Sequence, residues 1–457
     1  MPIATIHRMN DWFDLAFKGL SVHVPPAEVQ AMAMLVHQCM AANTRTYHTG
    51  FHVLGLCEGM QPIQVLAALF HDVVFYQADG GLPACVSALL KNVTRPEAGF
   101  WRLLEIAPDD RVIALCVDIF GFHPGQHLSP RNGMNEFLSA VVAARLLHEH
   151  LSDPQLLAVV AGIELTIPFR APDAKGNTAA QRLAQRVQAR CTRLAPALFD
   201  RDQPGAAFVK STVTSAVDLA NRDVTGFIEA APEYCLINTM LLVEESMMPR
   251  AVAGERSLLA YRKALLATDL FLSQLNPAWI AQSFEDHPNA EAVIQMRMAA
   301  RNNIAFVRDY LAAVLSAVAI IEALTRSTGT VWPVTLFLDS MRCPEDDLFP
   351  APLDDPILKA DLRQLLKHGL APEESPGLSA LPLAARIYGF LGQAATQQVR
   401  QQAKQMFDRV LTPLAFLQML DRDMVSAIIR RMAKIDASRQ KELLTLEHKL
   451  QAVSLPI

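Results

Sequence analysis

The chain reads as an all-α protein. Three observations lead there: apolar residues recur at three- and four-residue intervals almost throughout, the alternating Val/Ile/Thr runs of strands are scarce, and prolines stand where helices should begin. Composition agrees. Of 457 residues, 51% are hydrophobic and 19% charged, which suits a compact fold of two or three domains and excludes a disordered chain.

The elements follow in order. Pro25-Pro26 opens a helix through Ala41, with Asn43 as terminator; Pro62 sits in the first turn of a helix running into Phe70; Asp153-Pro154 supplies a cap and first-turn proline for a segment ending near Pro168. Phe122 to Met134, rich in Pro, Gly and Asn, is expected to be irregular and to lie close to the chemistry. The most apolar stretch, Tyr310 to Leu324, contains Glu322 and is bounded by Arg308, Asp309 and Arg326, so it reads as a buried helix and not a membrane span. A Pro- and acid-rich region, Pro344 to Pro356 and again Ala371 to Pro382 beyond a helix near Leu358 to Leu370, marks where a C-terminal helical part is joined. The last helix is expected from about Asp421 to Val453. The division expected is residues 1–285 for the domain that carries the chemistry and 286–457 for an additional C-terminal helical region.

Net charge is −5, and no dense Lys/Arg block with interleaved aromatics occurs, so nucleic-acid binding has no electrostatic footprint. The seven cysteines are scattered and never form a C-x-x-C, which fits reduced thiols better than a disulfide framework or a zinc knuckle. The opening MPIATIHRMNDWFDL lacks the basic start and unbroken apolar run of a signal peptide. A cytoplasmic protein with no membrane association is the expectation.

Ten of the thirteen histidines fall in the first 150 residues, and histidine is the commonest transition-metal ligand and a usual acid/base near neutral pH. In Tyr47-His48-Thr49-Gly50-Phe51-His52 the two histidines are four apart, which on a helix places them on one face. Thr49 stands where a zinc protease would have glutamate, so that chemistry is a poor fit. Further on, Ala67-Ala68-Leu69-Phe70-His71-Asp72 ends an apolar helix in adjacent His and Asp. Adjacent helical residues diverge by about 100°, so both reach one ion only from a helix end or a distortion. A core histidine beside a helix-terminal acid fits that pair equally well. Asp218, in Ser215-Ala216-Val217-Asp218-Leu219-Ala220-Asn221-Arg222-Asp223, ends an apolar stretch where a carboxylate needs a partner or a cation; the plainer alternative is a surface pair with Arg222.

Taken in order, these pieces resemble the HD-domain superfamily of metal-dependent phosphohydrolases over roughly residues 25 to 285. YHTGFH looks like the Y-H-x-x-x-H motif of cyclic-nucleotide phosphodiesterases and small bacterial HD enzymes. ALFHDVVF resembles the H-D motif that follows, AVDLANRD the D-L-A motif of the last ligand, and Asn135-Glu136-Phe137-Leu138-Ser139-Ala140 the N-E-x-x-S-A run of the small bacterial members. The segment from Asp72 to Asn135 is longer than theirs, and neither an H-D-x-x-E-D nor a G-Y-P signature is present.

The resemblance implies an HD-domain helical bundle in which His52, His71, Asp72 and Asp218 hold one or two divalent ions (Mn, Fe, Mg, Co or Zn), Asp72 bridging to a second where two are bound. It implies a phosphohydrolase or phosphodiesterase acting on a small-molecule phosphoester or nucleotide by attack of a metal-activated water, with His48 protonating the leaving group. Arg45, three residues before His48, is a candidate phosphate clamp or a plain surface arginine; Asn221 and Glu136 are candidate substrate contacts, or a turn cap and a helix N-terminal acid. His123 and His127 would supply a second metal if they face inward, the arrangement of HD-fold di-iron oxygenases, or they merely pack their loop. A nucleotide-sensing binding protein is the third reading. Self-association into a homo-oligomer stays open.

Overall fold

A computed structural model describes residues 2–97, 100–194, 204–247, 258–329, 360–370, 380–435 and 437–452. The proline-rich expectations at Pro344 to Pro356 and at 371–379 lie outside the described residues. What is described is helical apart from three short strands, as the apolar periodicity predicts.

The chain divides into two compact units, residues 1–231 with 275–302, and residues 232–274 with 303–457. The single cut expected at 285 is replaced by an exchange of segments: 232–274 belongs with the C-terminal unit. A division by contact of this kind is invisible to composition, since both units have the same helical pattern.

The first unit contains α1 (Pro2–Gly19), α2 (Pro26–Met40), α3 (Gly50–Cys57), α4 (Pro62–Phe70), α5 (Tyr76–Asp79), β1 (Thr94–Glu97), β2 (Phe100–Leu103), α6 (Arg111–Phe120), β3 (His127–Leu128), α7 (Met134–Leu147), α8 (Asp153–Leu165), α9 (Ala179–Leu194), α10 (Pro204–Asp223) and α11 (Thr225–Ile228). Helix α4 lies at its centre. Pro62 pre-sets the first turn, and Gln61 and Gln64 close a capping box, so the helix start is fixed locally. Every residue from Gln64 to Phe70 is buried, as expected of a helix that is apolar on all sides. Its neighbour α8 starts on a Ser152–Gln155 capping box, with Asp153 inside the helix and not the cap. A Cβ built at Gly162 of α8 would lie 3.0 Å from that of Ala67, so the missing side chain lets the two backbones approach closely. The strands form a small antiparallel sheet, β1-β2-β3, with Trp101 facing Leu128 and Arg102 facing His127. Thus the stretch around 122–134 is a hairpin edge followed by a turn, and α7 starts just after Gly133.

The second unit holds α12 (Pro232–Met247), α13 (Leu258–Gln274), most of α14 (Ala290–Thr328), α15 (Ala360–His368), α16 (Pro382–Phe407), α17 (Pro413–Gln418), α18 (Arg422–Ile435) and α19 (Gln440–Ala452). Helix α14 is long and apolar enough to cross a membrane by length and composition, yet 89% of its most apolar window is buried in protein. Glu322 is accommodated there by Arg262, whose Nη1 donates to both carboxylate oxygens at 2.5 and 2.6 Å. The expected final helix is two, α18 and α19, separated by a short turn at Ala437–Arg439.

Gly133 precedes the helix that bears Asn135, Glu136 and Ser139, with φ 84°, and a Cβ there would collide with Ile167 Cδ1. Both strain and overpacking oppose any side chain. Gly133→Ala should therefore lower stability by about 2–4 kcal/mol in urea unfolding; a loss below about 0.5 kcal/mol would contradict this packing.

Candidate metal centre

Helix α4 ends at Phe70, and His71 and Asp72 occupy the turn that follows. Leaving the helix removes the 100° divergence of neighbours, so the two side chains converge: His71 Nε2 lies 3.0 Å from Asp72 Oδ2. His71 Nδ1 donates to the carbonyl of Ala68 at 2.8 Å. In the neutral ring that bond sets the tautomer, with the proton on Nδ1 and the lone pair of Nε2 aimed into the site. His71 Nε2 is buried and accepts or donates no hydrogen bond.

His52 comes from α3. Its ring centroid is 5.4 Å from that of His71, and its Nε2 is 3.7 Å from Asp72 Oδ2. One ligand atom from each of His52, His71 and Asp72 lies within 4.8 Å of the others, a grouping that can hold a metal ion. A fourth group faces them. Asp223 Oδ1 is 3.1 Å from His52 Nε2 and 3.6 Å from His71 Nε2.

Asp223 takes the place expected for Asp218. The two are five residues apart, about 140° around the helix, so only one can face α4. Asp218 points elsewhere, with His287 Nε2 2.6 Å from its Oδ1 and 43% of its side chain exposed. With Asn221, Arg222 and Glu229 it lines a cleft of about 440 Å³ whose walls include none of His52, His71, Asp72 or Asp223. The periodicity held the correct signal. Buried Val209, Val213, Ala216 and Ala220 trace the inner face of α10, and the next position on that stripe is 223, not 218.

Electrostatics follow from enclosure. Burial opposes ionisation of Asp72, but His71, His48 and His52 outweigh it and hold the carboxyl well below the usual range. Burial likewise opposes ionisation of Asp223, while the His52 and His71 imidazoles facing it bring it down to about 2. For His71, burial disfavours the charged ring, yet Asp72 and Asp223 raise its pKa well above the ordinary value. Two ionised carboxylates thus demand positive charge, and a proton or a cation can supply it. The donor set fits a divalent ion: two imidazoles and two carboxylates, one imidazole with a preset lone pair.

His48 is not on α3. It lies in the bend before Gly50, its ring stacked on Phe75 at 3.8 Å and centred 6.1 Å from that of His52. The i,i+4 helical argument therefore fails, while the proximity it predicted is present by way of the bend. Arg45 is neither clamp nor surface group. Its side chain is wholly buried, donating from Nε and Nη2 to both oxygens of Asp79 at 2.8 and 2.7 Å and from Nη1 to the carbonyl of Asp72 at 2.7 Å. It ties the His-Asp turn to α5. Asn221 is also spent: its amide exchanges two hydrogen bonds with the backbone of Gln282, at 2.7 and 3.0 Å, so it holds a chain segment and not a substrate.

The N-E-x-x-S-A run supports the turn from behind. Ser139 Oγ accepts from Val74 N at 3.0 Å and Asn135 Oδ1 from Tyr76 N at 3.1 Å, which fixes the chain leaving Asp72. Glu136 Oε2 is buried without a hydrogen-bond partner, and burial, reinforced by the charge of Asp72, pushes its pKa up to about 7. His123 and His127 do not join the centre. Both are exposed at the hairpin, His123 Nδ1 against the Pro124 carbonyl and His127 stacked on Phe100 at 5.8 Å and 3.8 Å from Glu97. A Pro/Gly loop in sequence carries no record of which way it folds. Comparison with known protein families, with curated proteins and with solved structures found nothing similar to this chain.

Arg45→Met would leave Asp79 buried and unpaired, and a loss of about 3–5 kcal/mol is expected by urea unfolding. Removing both charges in Arg45→Met/Asp79→Asn should recover part of it; a single-variant loss under about 1 kcal/mol would show the pair to be dispensable. Glu136 offers a pH test. Its value rises from 4.5 to about 7 on folding, so the folded state holds the extra proton between those limits. Stability from this group is full below 4.5 and lost as pH rises through about 7. In chelator-treated protein, Glu136→Gln should remove a loss on the order of 3 kcal/mol between pH 4.5 and 8. Identical pH slopes in variant and parent would refute it.

Proposed function

We propose that this chain is a metal-dependent phosphohydrolase or phosphodiesterase of the HD type, acting on a small phosphoester. The observation that carries the reading is the convergence of His52, His71, Asp72 and Asp223 from α3, the end of α4 and the end of α10 around the bare Nε2 of His71. The sequence resemblance supports it through the order H, HD, D, with the last ligand moved from Asp218 to Asp223. A divalent ion held there supplies Lewis acidity toward the phosphoryl group and lowers the pKa of a bound water.

The chain's own groups do the rest. With an ion bound, His52 and His71 would hold it through ring nitrogens and Asp72 and Asp223 would compensate its charge. Arg45, by holding the Asp72 carbonyl and α5, keeps the His-Asp turn in place before any ligand arrives. His48, beside His52 and braced by Phe75, is the proton donor to the leaving oxygen. Glu136, its pKa raised to about 7 by burial and by the charge of Asp72, is a carboxylic acid below neutrality, able then to donate a hydrogen bond. Arg45 is fully engaged by Asp79 and Arg170 is paired with Glu164 at 2.5 Å, so neither guanidinium is available as a phosphate clamp. With His123 and His127 exposed, the feature that motivated a di-iron oxygenase is gone.

Protein purified without chelator should contain about one equivalent or more of a divalent metal and hydrolyse a phosphomonoester, cyclic nucleotide or nucleotide in a screen with Mn²⁺ or Co²⁺. Asp223→Asn should weaken metal binding by about 10–100-fold or more, whereas Asp218→Asn should leave it unchanged. The reverse order would move the centre back to Asp218. His48→Gln should keep the metal and lower kcat by about 10²–10⁴-fold. Absence of metal, together with thermal stability indifferent to chelator, would sink the proposal.

A further inference from the structure

Cys39 and Cys85 lie outside the metal centre, and their sulfurs are 3.2 Å apart. Cys39 is buried on α2, and Cys85 is half-buried in a short turn, Ala84–Val86, that packs on that helix. Both are free thiols. A disulfide needs an S–S separation of about 2.05 Å, so closing the bond requires an approach of only about 1.1 Å. We propose that Cys39 and Cys85 form a reversible disulfide when the protein meets a hydroperoxide, with Cys85 the attacking sulfur and Cys39 the resolving one.

The two sulfurs differ as that division of labour requires. The hydrogen bond from Cys39 favours the Cys85 thiolate and brings its pKa down to about 7, while the same contact and burial push Cys39 far up. Cys85 is also the more accessible. In the first step the Cys85 thiolate attacks one oxygen of the peroxide; the O–O bond breaks, the other oxygen leaves and is protonated by solvent, and Cys85 becomes a sulfenic acid. Cys39 then attacks the sulfenic sulfur, its proton leaving with the displaced hydroxide as water. Two thiols and one hydroperoxide give a disulfide, an alcohol (water from hydrogen peroxide) and a water, with two electrons passing from sulfur to the O–O bond. A dithiol reductant reverses the change.

The placement gives the bond a consequence. It closes a loop 46 residues long, within which lie His52, His71 and Asp72, and also Arg45 and Asp79, whose charges both act on Cys39. The cross-link therefore ties together the segment that supplies three of the four groups of the centre. It does not depend on the centre binding metal.

The test uses the full chain and hydrogen peroxide in slight excess, followed by iodoacetamide and non-reducing peptide mass spectrometry. A Cys39–Cys85 peptide pair lighter by two hydrogens is expected as the dominant oxidised product, lost on treatment with dithiothreitol. In Cys39→Ser the Cys85 sulfenic acid should persist and take up dimedone; in Cys85→Ser no cross-link should form and Cys39 should remain a thiol. Should either variant fail to fold, the parent protein still decides. Cys85 that takes up dimedone without cross-linking, or that pairs with another cysteine, would overturn the proposal.

Discussion

Two ionised carboxylates, Asp72 and Asp223, stand at the inner ends of buried helices, and the cost of removing them from water governs how this part of the molecule is built. Neither persists there unpaired. Their compensation comes from His52 and His71, and the geometry leaves His71 Nε2 without a hydrogen-bond partner in the gap between them. A proton on His71 and a divalent cation, were one bound, would compete for the same two negative charges.

Holding that arrangement requires rigidity behind it. The His71 and Val73 amides of the turn after α4 still bond back to that helix, while other backbone groups are taken up from elsewhere. Arg45 accepts the charge of Asp79 and binds the Asp72 carbonyl, Ser139 receives the Val74 amide and Asn135 the Tyr76 amide. These three residues come from the link before α3 and from α7, which packs on the buried helix α4, so the turn is fixed by elements distant in sequence. Close approach of α8 at Gly162 and the left-handed start of α7 at Gly133 belong to the same requirement.

Glu136 differs from the other acids. Having no cationic partner within hydrogen-bond reach, it yields to burial and its pKa rises to about 7, while Asp72 and Asp223, each beside two imidazoles, are held below the usual carboxylate range. Three acids in one neighbourhood therefore hold different protonation states, and the distinction lies in what each one faces.

Local rules were enough for a good part of this. Periodicity of 3.6 and first-turn prolines define α2 and α4 to within a residue, and the all-helical class follows; the His-Asp pair at a helix end was legible because adjacent residues cannot otherwise converge. The candidate ligands His52, His71 and Asp72 were found by residue type and order. What sequence alone left wrong or open turned on direction in space. Asp218 and Asp223 both end an apolar stretch, and which one faces α4 depends on the rotation of α10 as it packs. Arg45 and Asn221 carry groups suited to substrate, but burial assigns them to Asp79 and to Gln282. His123 and His127 share a loop whose hairpin carries them to the surface. Helix formation is encoded in neighbours a few residues apart, whereas a site is assembled from side chains that only tertiary packing brings together.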